Sequence, residues 1–282
     1  MDVHCHVTDS EMTEESVRSL NTKVLFLMAT RESDWFTIQD LLKSSLYNTN
    51  LIHSNDVAVS IPNLIPAFGI HPWFAHEHQS LASFDKLEQL IQSYPNSLVG
   101  EIGLDSVAVD SNKIKYPMDA QLDCFQKQFD LAIKYNRPVS IHSVHTHGLL
   151  LDYFRKLDTN CGPFKKQKLP LPAPPSIMLH SFLGSAQIAS ALIKLPRVGS
   201  RFYFSFSHFV NSRSPKTKSI ISSLPDNRIL IESDVHSISE VDPAMEKIVN
   251  LVADAKGWST EFTIAQTIKN SLEFLQLWPL NP

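Results

Sequence analysis

The chain has 282 residues, of which 43% are hydrophobic and 19% are charged, and its formal net charge is −4. These values are ordinary for a globular protein and give no overall attraction to nucleic acid or to an anionic membrane. A polyanionic substrate would therefore have to be held by local charge or by a metal ion. One α/β barrel typically occupies about 250 residues, so we expect a single domain spanning residues 1–282.

The three cysteines are Cys5, Cys124 and Cys161, and none belongs to a CxxC pair. Their small, odd number favours a reducing compartment over a disulfide framework. No apolar run reaches about 18 residues, so we expect no transmembrane helix. The polar N-terminal segment lacks the apolar core of a signal peptide. We therefore expect a cytoplasmic or nuclear protein that acts as a monomer.

Eight short apolar segments predict β-strands, and segments of helical periodicity alternate with them. The strands are predicted at residues 1–6, 24–30, 64–70, 97–103, 137–143, 176–182, 200–206 and 228–234. The helices are predicted near 11–20, 32–46, 83–94, 119–135, 146–157, 185–195, 214–224, 240–254 and 260–276. This alternation indicates parallel pairing through crossover helices. Eight such units fit a closed (β/α)8 TIM-type barrel better than an open sheet.

Residues 119–135 show the clearest helical pattern. The apolar residues that recur there at steps of three or four are Leu122, Phe125, Phe129 and Ile133. This spacing predicts that they share one buried face. Two other stretches, 47–63 and 158–175, are predicted to be loops. The second is rich in proline and lysine, is inserted before the sixth strand, and could bind a protein partner.

Residues that can bind metal ions stand at the ends of five predicted strands. They are His4, His6, Glu101, His142, His180 and Asp234. The carboxyl ends of barrel strands meet at one mouth, so these side chains would converge there. Taken singly, Glu101 could lie in a buried ion pair, and each histidine could be an ordinary polar residue. Their joint placement favours a metal centre.

The donor set and its spacing indicate which chemistry the site could support. His4 and His6 are two residues apart and share one face of a strand, so alternation directs Cys5 away from them as a packing residue. Mixed nitrogen and oxygen donors suit Zn²⁺, Mn²⁺, Co²⁺ or Fe²⁺, and suit Mg²⁺ less well. Asp234 could bind an ion and act as general base or orient the attacking water.

The ordered motifs resemble the TatD family of metal-dependent deoxyribonucleases, within the amidohydrolase-like barrel superfamily. The resemblance extends along nearly the whole chain. Its motifs are DVHCH (2–6), FGIHPW (68–73), VGEIGLD (99–105), RPVSIHS (137–143), LHSFLGS (179–185) and LIESD (230–234). It implies two divalent ions held by the six residues, with Glu101 bridging them and with Glu101 and Asp234 catalytic. The implied reaction is in-line hydrolysis of DNA phosphodiester bonds.

The resemblance also bears on substrate contacts. His71 matches a family histidine that faces the substrate phosphate, and it is equally compatible with a helix-start or turn residue held by Pro72. Asp105 matches a carboxylate that supports the site rather than binding metal. Val144 stands where the family commonly has arginine, and Val235 and His236 stand where it has proline and an aromatic residue. These departures leave substrate recognition open. Further candidate contacts are His145, His147 and His236, each equally compatible with a solvent-facing loop residue. Arg213, with Lys216 and Lys218, is a candidate phosphate contact for which a solvated basic loop is the favoured alternative.

Three functions are compatible with the sequence. The first is a two-metal deoxyribonuclease, and the second is a barrel amidohydrolase acting on an amide, lactone or ester. Many enzymes of the second kind bridge their ions with a modified lysine on the fourth strand, where this chain has Glu101. The third is a barrel-based interaction protein with weak or no activity, motivated by the altered positions and the 158–175 insertion. The intact ligand set favours the first function.

Overall fold

The computed structural model describes residues 1–7, 16, 18–43, 63–78, 80–159 and 173–276. Its strands are β1 (Asp2–Cys5), β2 (Val24–Met28), β3 (Asn63–Phe68), β4 (Leu98–Asp105), β5 (Val139–Val144), β6 (Ile177–Leu179), β7 (Phe202–Ser207) and β8 (Ile229–Glu232). The α-helices of these residues are α1 (Glu32–Lys43), α2 (Leu81–Ser93), α3 (Met118–Lys134), α4 (His147–Thr159), α5 (Ala186–Ile193), α6 (His208–Asn211), α7 (Thr217–Ser223), α8 (Val241–Lys256) and α9 (Thr260–Gln276). Short 3₁₀ turns lie at Pro72–Phe74, Gly199–Arg201, Asp226–Arg228 and Ile238–Glu240.

The eight strands form one parallel sheet in the order β1 to β8. Hydrogen bonds beyond the regular ladder join the first and last strands. His6 N donates to Val235 O at 2.9 Å, and Asp234 N donates to His4 O at 3.0 Å. The sheet therefore closes into a nearly complete barrel with helices between its strands. The predicted (β/α)8 fold is confirmed, and every predicted strand overlaps an observed one.

The helix and loop predictions need three corrections. The short helix α6 was not predicted; Ser207 begins it, because its Oγ accepts a hydrogen bond from Val210 N at 3.3 Å. The predicted 158–175 loop starts too early, since α4 continues to Thr159, and the 47–63 loop ends before Asn63, which belongs to β3. The remainder of both loops, apart from residues 173–175, and most of the predicted 11–20 helix lie outside the described residues.

The buried face of α3 differs from the predicted one. Phe125 and Phe129 are buried as predicted, but Leu122 is 40% exposed and Ile133 is only half-buried. Two glutamines, Gln121 and Gln128, take part in the buried face instead. An apolar pattern could not identify them, because it assigns amide side chains to solvent.

These two glutamines anchor the backbone at the ends of two strands. Gln128 Oε1 accepts from Ile70 N at 2.7 Å, and its Nε2 donates to Ile70 O at 3.0 Å. Gln121 makes the same pair of bonds with Asp105 N and Asp105 O, at 2.7 and 3.0 Å. Each buried amide is satisfied by a remote peptide group. One helix thus holds the chain after β3 and at the end of β4.

The barrel interior is apolar at its amino end and polar at its carboxyl end. The interior apolar cluster includes Leu98, Met178, Tyr203 and Leu230, which precede the polar interior residues of their strands. Phe274, near the end of α9, packs against this cluster and covers the amino end. The polar side chains are therefore confined to the carboxyl half. No helix among the described residues is long and apolar enough to cross a membrane.

Asp2 bridges the contact between the first and last strands. Its carboxylate accepts hydrogen bonds from Ser233 N at 2.9 Å, from Ser233 Oγ and from His4 N at 3.2 Å. Burial, with a smaller repulsion from Glu232, raises the pKa of Asp2 to about 7. Since the ordinary value is 3.8, the folded protein binds this proton more tightly than the unfolded chain. Ionised Asp2 therefore opposes folding increasingly as the pH rises through this interval.

We predict that the stability of the Asp2→Asn variant, relative to that of the wild type, increases as the pH rises. The amide can keep the hydrogen bonds to Ser233 but does not titrate. Between about pH 5 and pH 8, the unfolding free energy of the variant relative to the wild type should rise by on the order of 2 kcal/mol. Urea denaturation of both metal-free proteins at the two pH values measures this difference. A difference that is independent of pH would contradict the prediction.

Candidate metal centre

The predicted ligand residues converge around the buried carboxylate of Glu101, which is 2% exposed. Its Oε2 lies 3.4 Å from His4 Nε2 and 3.3 Å from His6 Nε2. Asp234 Oδ1 lies 3.8 Å and 3.6 Å from the same two nitrogens. These four side chains form the first donor group, with two nitrogen and two oxygen atoms directed toward one another.

The other carboxylate oxygen of Glu101 faces a second donor group. Glu101 Oε1 is 2.9 Å from His142 Nδ1 and 2.8 Å from His180 Nε2. His71 Nε2 lies 3.4 Å from the same oxygen. The two oxygens of one side chain are therefore shared between separate sets of histidines, which is the arrangement expected of a bridging carboxylate.

Donor distances identify three sets of side chains that could hold a metal ion among the described residues. They are His4–His6–Asp234, His71–Glu101–His142 and His4–His180–Glu232, each with ligand atoms within 4.8 Å of one another. All three sets surround the same carboxyl-end cavity. The structure thus brings all six predicted ligand residues to one place and adds His71 and Glu232.

The backbone at the strand ends directs these side chains inward. Ser181 and Asp234, which follow β6 and β8, have positive φ values of 38° and 56°. Gly103 in β4 has a φ of 150°, and a Cβ atom there would lie 2.1 Å from His142 O. Only glycine allows β5 to approach this closely. The close approach helps place His142 beside Glu101.

The nitrogens that face away from the cavity are also bonded in the first group. His4 Nδ1 lies 3.0 Å from Ser140 Oγ, and His6 Nδ1 lies 3.3 Å from Met28 O. A carbonyl oxygen can only accept, so His6 carries its proton on Nδ1 when neutral. This leaves the Nε2 lone pair directed at the cavity. Histidine ligands of metal ions commonly have such a partner on the outer nitrogen.

Carboxylates lie near the outer nitrogens in the second group. His142 Nε2 lies 3.3 Å from Asp105 Oδ2, and His180 Nδ1 lies 3.5 Å from Glu232 Oε1. Glu232 is itself held by Ser181, whose backbone N and Oγ donate to Oε1, each at 2.7 Å. Sequence analysis did not single out Glu232. Its only signal was a second acid beside Asp234 at the end of a buried strand.

The pKa values show how strongly the cluster favours positive charge. Burial would raise the pKa of Glu101, but the neighbouring histidines, His180 first, outweigh burial and hold its pKa well below the ordinary value. Burial would also lower the pKa of His6, yet the bond to Glu101 raises it to about 9. His4, buried and close to His180, has its pKa lowered to about 3. Protonated imidazoles therefore balance the buried carboxylate in this structure.

The candidate substrate residues occupy different positions around this cluster. His71 lies inside it, and the exposed ring of His236 stacks on His6 with centroids 5.0 Å apart. Exposed His145 has a φ of 55°, and no hydrogen bond or ion pair joins it to the cluster within the described part of the chain. Arg213 is exposed and lies over the Phe209 ring. Their contacts with substrate remain predictions.

Comparison with known proteins agrees with this geometry. A sequence model of the family described as TatD related DNase matches residues 1–276. Cut9-interacting protein scn1 of Schizosaccharomyces pombe is 28% identical over 98% of this chain and 98% of its own length. An uncharacterized deoxyribonuclease of Saccharomyces cerevisiae is 26% identical over 88% of this chain and 86% of its own. The crystal structure of YjjV, a TatD homologue from Escherichia coli, superimposes with a TM-score of 0.72 at 20% identity, covering 97% and 96% of the two chains.

A parallel barrel whose mouth gathers histidines and carboxylates is the architecture of metal-dependent barrel enzymes. The chain belongs to the TatD-related DNase family, since the family match extends over 276 residues. Relatives in this family are named deoxyribonucleases or metal-dependent hydrolases. The enzyme class is therefore that of hydrolases acting on ester bonds.

Cys5, between the two histidines of β1, points away from the cavity as predicted. Its Sγ lies 3.4 Å from Phe26 O within the outer core. Burial raises the pKa of the Cys5 thiol well above its ordinary value, and burial raises that of Cys124 to about 12. Thiolate is the reactive form of cysteine. Both thiols should therefore be unreactive while the protein is folded.

We predict that a Cys161→Ser variant reacts with the thiol reagent DTNB only after unfolding. The native protein should release almost no thionitrobenzoate, and guanidinium chloride should expose Cys5 and Cys124 together. Absorbance of the released product counts the reacting thiols. Rapid labelling of either cysteine in the native state, while circular dichroism still shows the folded protein, would contradict the prediction.

Proposed function

We propose that this protein is a divalent-metal-dependent nuclease that hydrolyses DNA phosphodiester bonds with two ions. His4, His6, Glu101 and Asp234 would hold one ion, and Glu101, His142 and His180 would hold the other. The observation that carries the proposal is that the two carboxylate oxygens of Glu101 face different pairs of histidines. Its Oε2 faces His4 and His6, and its Oε1 faces His142 and His180. The family name and the printed names of relatives support DNA as substrate.

The residues fit a pair of cations. The histidine nitrogens and carboxylate oxygens that face the cavity suit Zn²⁺, Mn²⁺ or Co²⁺, with Mg²⁺ also to be tested. The outer nitrogens face Ser140, Met28, Asp105 and Glu232, and the inner nitrogens face the cavity. Two divalent ions, when bound, polarise a phosphodiester and acidify a water molecule. The first group supplies four donor side chains, whereas the second supplies three. An oxygen of substrate or water can therefore complete the coordination of an ion at the second group.

His71 is better suited to donate a hydrogen bond than to bind an ion. Its Nδ1 accepts from Trp73 N at 3.2 Å, so the neutral ring carries its proton on Nε2. Burial lowers the pKa of His71 to about 4 and keeps the ring neutral near pH 7. The Nε2 proton faces the second donor group, where it could bond a non-bridging phosphate oxygen. We assign His71 to phosphate orientation on this ground.

Asp234 is placed to manage the proton of the attacking water. Its Oδ1 faces the first donor group, and its Oδ2 lies 3.2 Å from Ser181 Oγ. This contact turns Oδ2 toward Ser181 and leaves Oδ1 available. A carboxylate at hydrogen-bond reach of the water can accept its proton as the bond to phosphorus forms.

We predict that Asp234→Asn and Glu101→Gln each lower metal-dependent DNA hydrolysis by at least about 100-fold. Both amides match the shape of the native side chain but lose its charge. The assay compares single-stranded and duplex DNA with Mg²⁺, Mn²⁺, Co²⁺ and Zn²⁺, alongside small amides and esters and the metal content of each protein. Glu77→Gln on the surface is the control. Undiminished hydrolysis in both folded variants would contradict the proposal, as would turnover of amides alone.

We also predict that Asp105→Asn weakens metal binding by about 10- to 100-fold, because the outer nitrogen of His142 loses its anionic partner. Asp110→Asn is the matched control, since Asp110 lies in the segment that follows β4 and accepts backbone bonds from Asn112 and Ile114. Competition with a chromogenic chelator measures the affinity of the weaker site. Equal affinities in the two variants would remove the proposed role of Asp105.

The second candidate function is protein interaction. It is favoured by the similarity to a relative named Cut9-interacting protein, which extends over 98% of both chains. The predicted binding segment is the 158–175 insertion. Pull-downs with the wild type and with a variant lacking residues 160–172 would test it. A partner lost with the segment, from a protein that binds metal but hydrolyses no nucleic acid, would favour interaction over catalysis.

A further inference from the structure

Two exposed aromatic side chains lie at the mouth of the barrel. Trp73 follows β3 and is 45% exposed, and Phe209 follows β7 and is 56% exposed. In a barrel of eight strands in sequential order, β3 and β7 are four strands apart and so stand on opposite sides. The metal centre lies between them. Large aromatic groups exposed in this way are well placed to contact a bound molecule that extends across the mouth.

Trp73 is held rigidly beside the second donor group. Its Nε1 donates to Asp105 Oδ2 at 2.9 Å, and Asp105 in turn holds His142. The ring also meets His71 edge-on, with centroids 5.0 Å apart. The indole is therefore fixed beside His71, the residue assigned above to phosphate orientation. Nearly half of the Trp73 side chain faces solvent.

Phe209 is connected to the opposite side of the centre. The helix α6 that carries it begins at Ser207, whose Oγ lies 2.7 Å from Ser181 Oγ. Ser181 Oγ in turn lies 3.2 Å from Asp234 Oδ2. Two short polar contacts thus connect the start of α6 with a proposed metal ligand. Phe209 stands in the first turn of this helix.

Arg213 adds positive charge to the Phe209 side. Its guanidinium lies 4.5 Å from the centroid of the Phe209 ring. Within the described residues Arg213 has no carboxylate partner. A cation that stacks on an aromatic ring keeps its in-plane N–H groups directed at solvent, where they can bond phosphate. Ring and cation together match a nucleotide, which offers both a base and a phosphate.

We propose that Trp73 and Phe209 are the stacking positions for unpaired bases on either side of the scissile phosphate, with Arg213 binding a neighbouring phosphate. The proposal rests on the nuclease function proposed above. A nucleic acid strand would cross the mouth from β3 to β7, with its cleaved bond over Glu101. Stacking needs exposed base faces, so the two residues favour single strands over duplexes. The base identity matters little, because every base has an aromatic face.

The test compares two substrates in the wild type and in Trp73→Ala, Phe209→Ala and Phe262→Ala. The substrates are an oligothymidylate and bis(p-nitrophenyl) phosphate, which is too small to reach both sides. The ratio of kcat/KM for the oligonucleotide to that for the small diester should fall by about 5- to 100-fold in each mouth variant. Phe262 is the control: it is 49% exposed on α9, which packs against the amino end of the barrel.

A binding measurement separates this proposal from catalysis. Fluorescence anisotropy of a labelled oligothymidylate with phosphorothioate linkages gives Kd without turnover, and an oligouridylate and a DNA duplex provide comparison arms. Both mouth variants should bind the single strands about 5- to 100-fold more weakly, and the duplex should gain little from either ring. Arg213→Gln should reduce the slope of log Kd against log salt by about 0.7, the value for one phosphate contact on a single strand.

The outcomes distinguish the two proposals. Unchanged Kd values and unchanged substrate ratios in both mouth variants would overturn the stacking positions while leaving the nuclease function intact. If the wild type hydrolyses neither substrate, the nuclease function fails and the Kd values alone decide the stacking positions. Trp73→Phe keeps a ring but loses the bond to Asp105. If Trp73→Phe loses as much kcat/KM as Trp73→Ala on both substrates, Trp73 acts by supporting Asp105, and its stacking role is refuted.

Discussion

The carboxylate of Glu101 lies in the barrel interior, where an isolated ionised acid would cost far more than a folded protein can tolerate. The structure resolves this by placing imidazoles from five positions around its two oxygens. Positive charge is thus required at this point, whether it comes from protons or from metal ions. The residues that bond the outer nitrogens of these imidazoles are arranged with respect to that requirement.

The barrel meets the requirement with rigid elements. Glu101, His4 and His142 stand on strands, His180 directly follows β6, and Asp234 is the second residue after β8. Their outer atoms are bonded to the backbone, to serines or to further carboxylates, so the inner atoms have little freedom. A site supported in this way keeps its geometry better than one built on loops alone. The apolar half of the interior below it provides the packing that holds the strands together.

The sequence predicted the barrel and the six central residues because both follow simple periodicities. Alternation along a strand places His4 and His6 on one face, and the closure of a parallel barrel brings distant strand ends together. The residues that sequence analysis missed are polar side chains whose partners are remote in the chain. Glu232 supports His180, and Asp2 crosses to Ser233. No local pattern indicates such pairings, since they depend on register between separate strands.

Leu122 illustrates the same limit from the apolar side. Its spacing from Phe125 fits a buried stripe, yet the stripe is displaced by one position because α3 buries two amide side chains. Those amides meet the peptide groups of Ile70 and Asp105, and a hydropathy pattern contains no information about unsatisfied backbone elsewhere. Burial of a glutamine can be recognised only when both bonding partners are known.

The two glutamines of α3 give this helix an influence on the site that its position on the outer layer would not suggest. Its glutamines bond Ile70, which precedes His71, and Asp105, whose carboxylate contacts His142. The opposite half of the cavity is anchored to the junction of β1 and β8 instead. A displacement of α3 would therefore act first on the half of the cavity that contains His71 and His142. Substitutions on the outer surface of this helix could adjust catalytic spacing at long range.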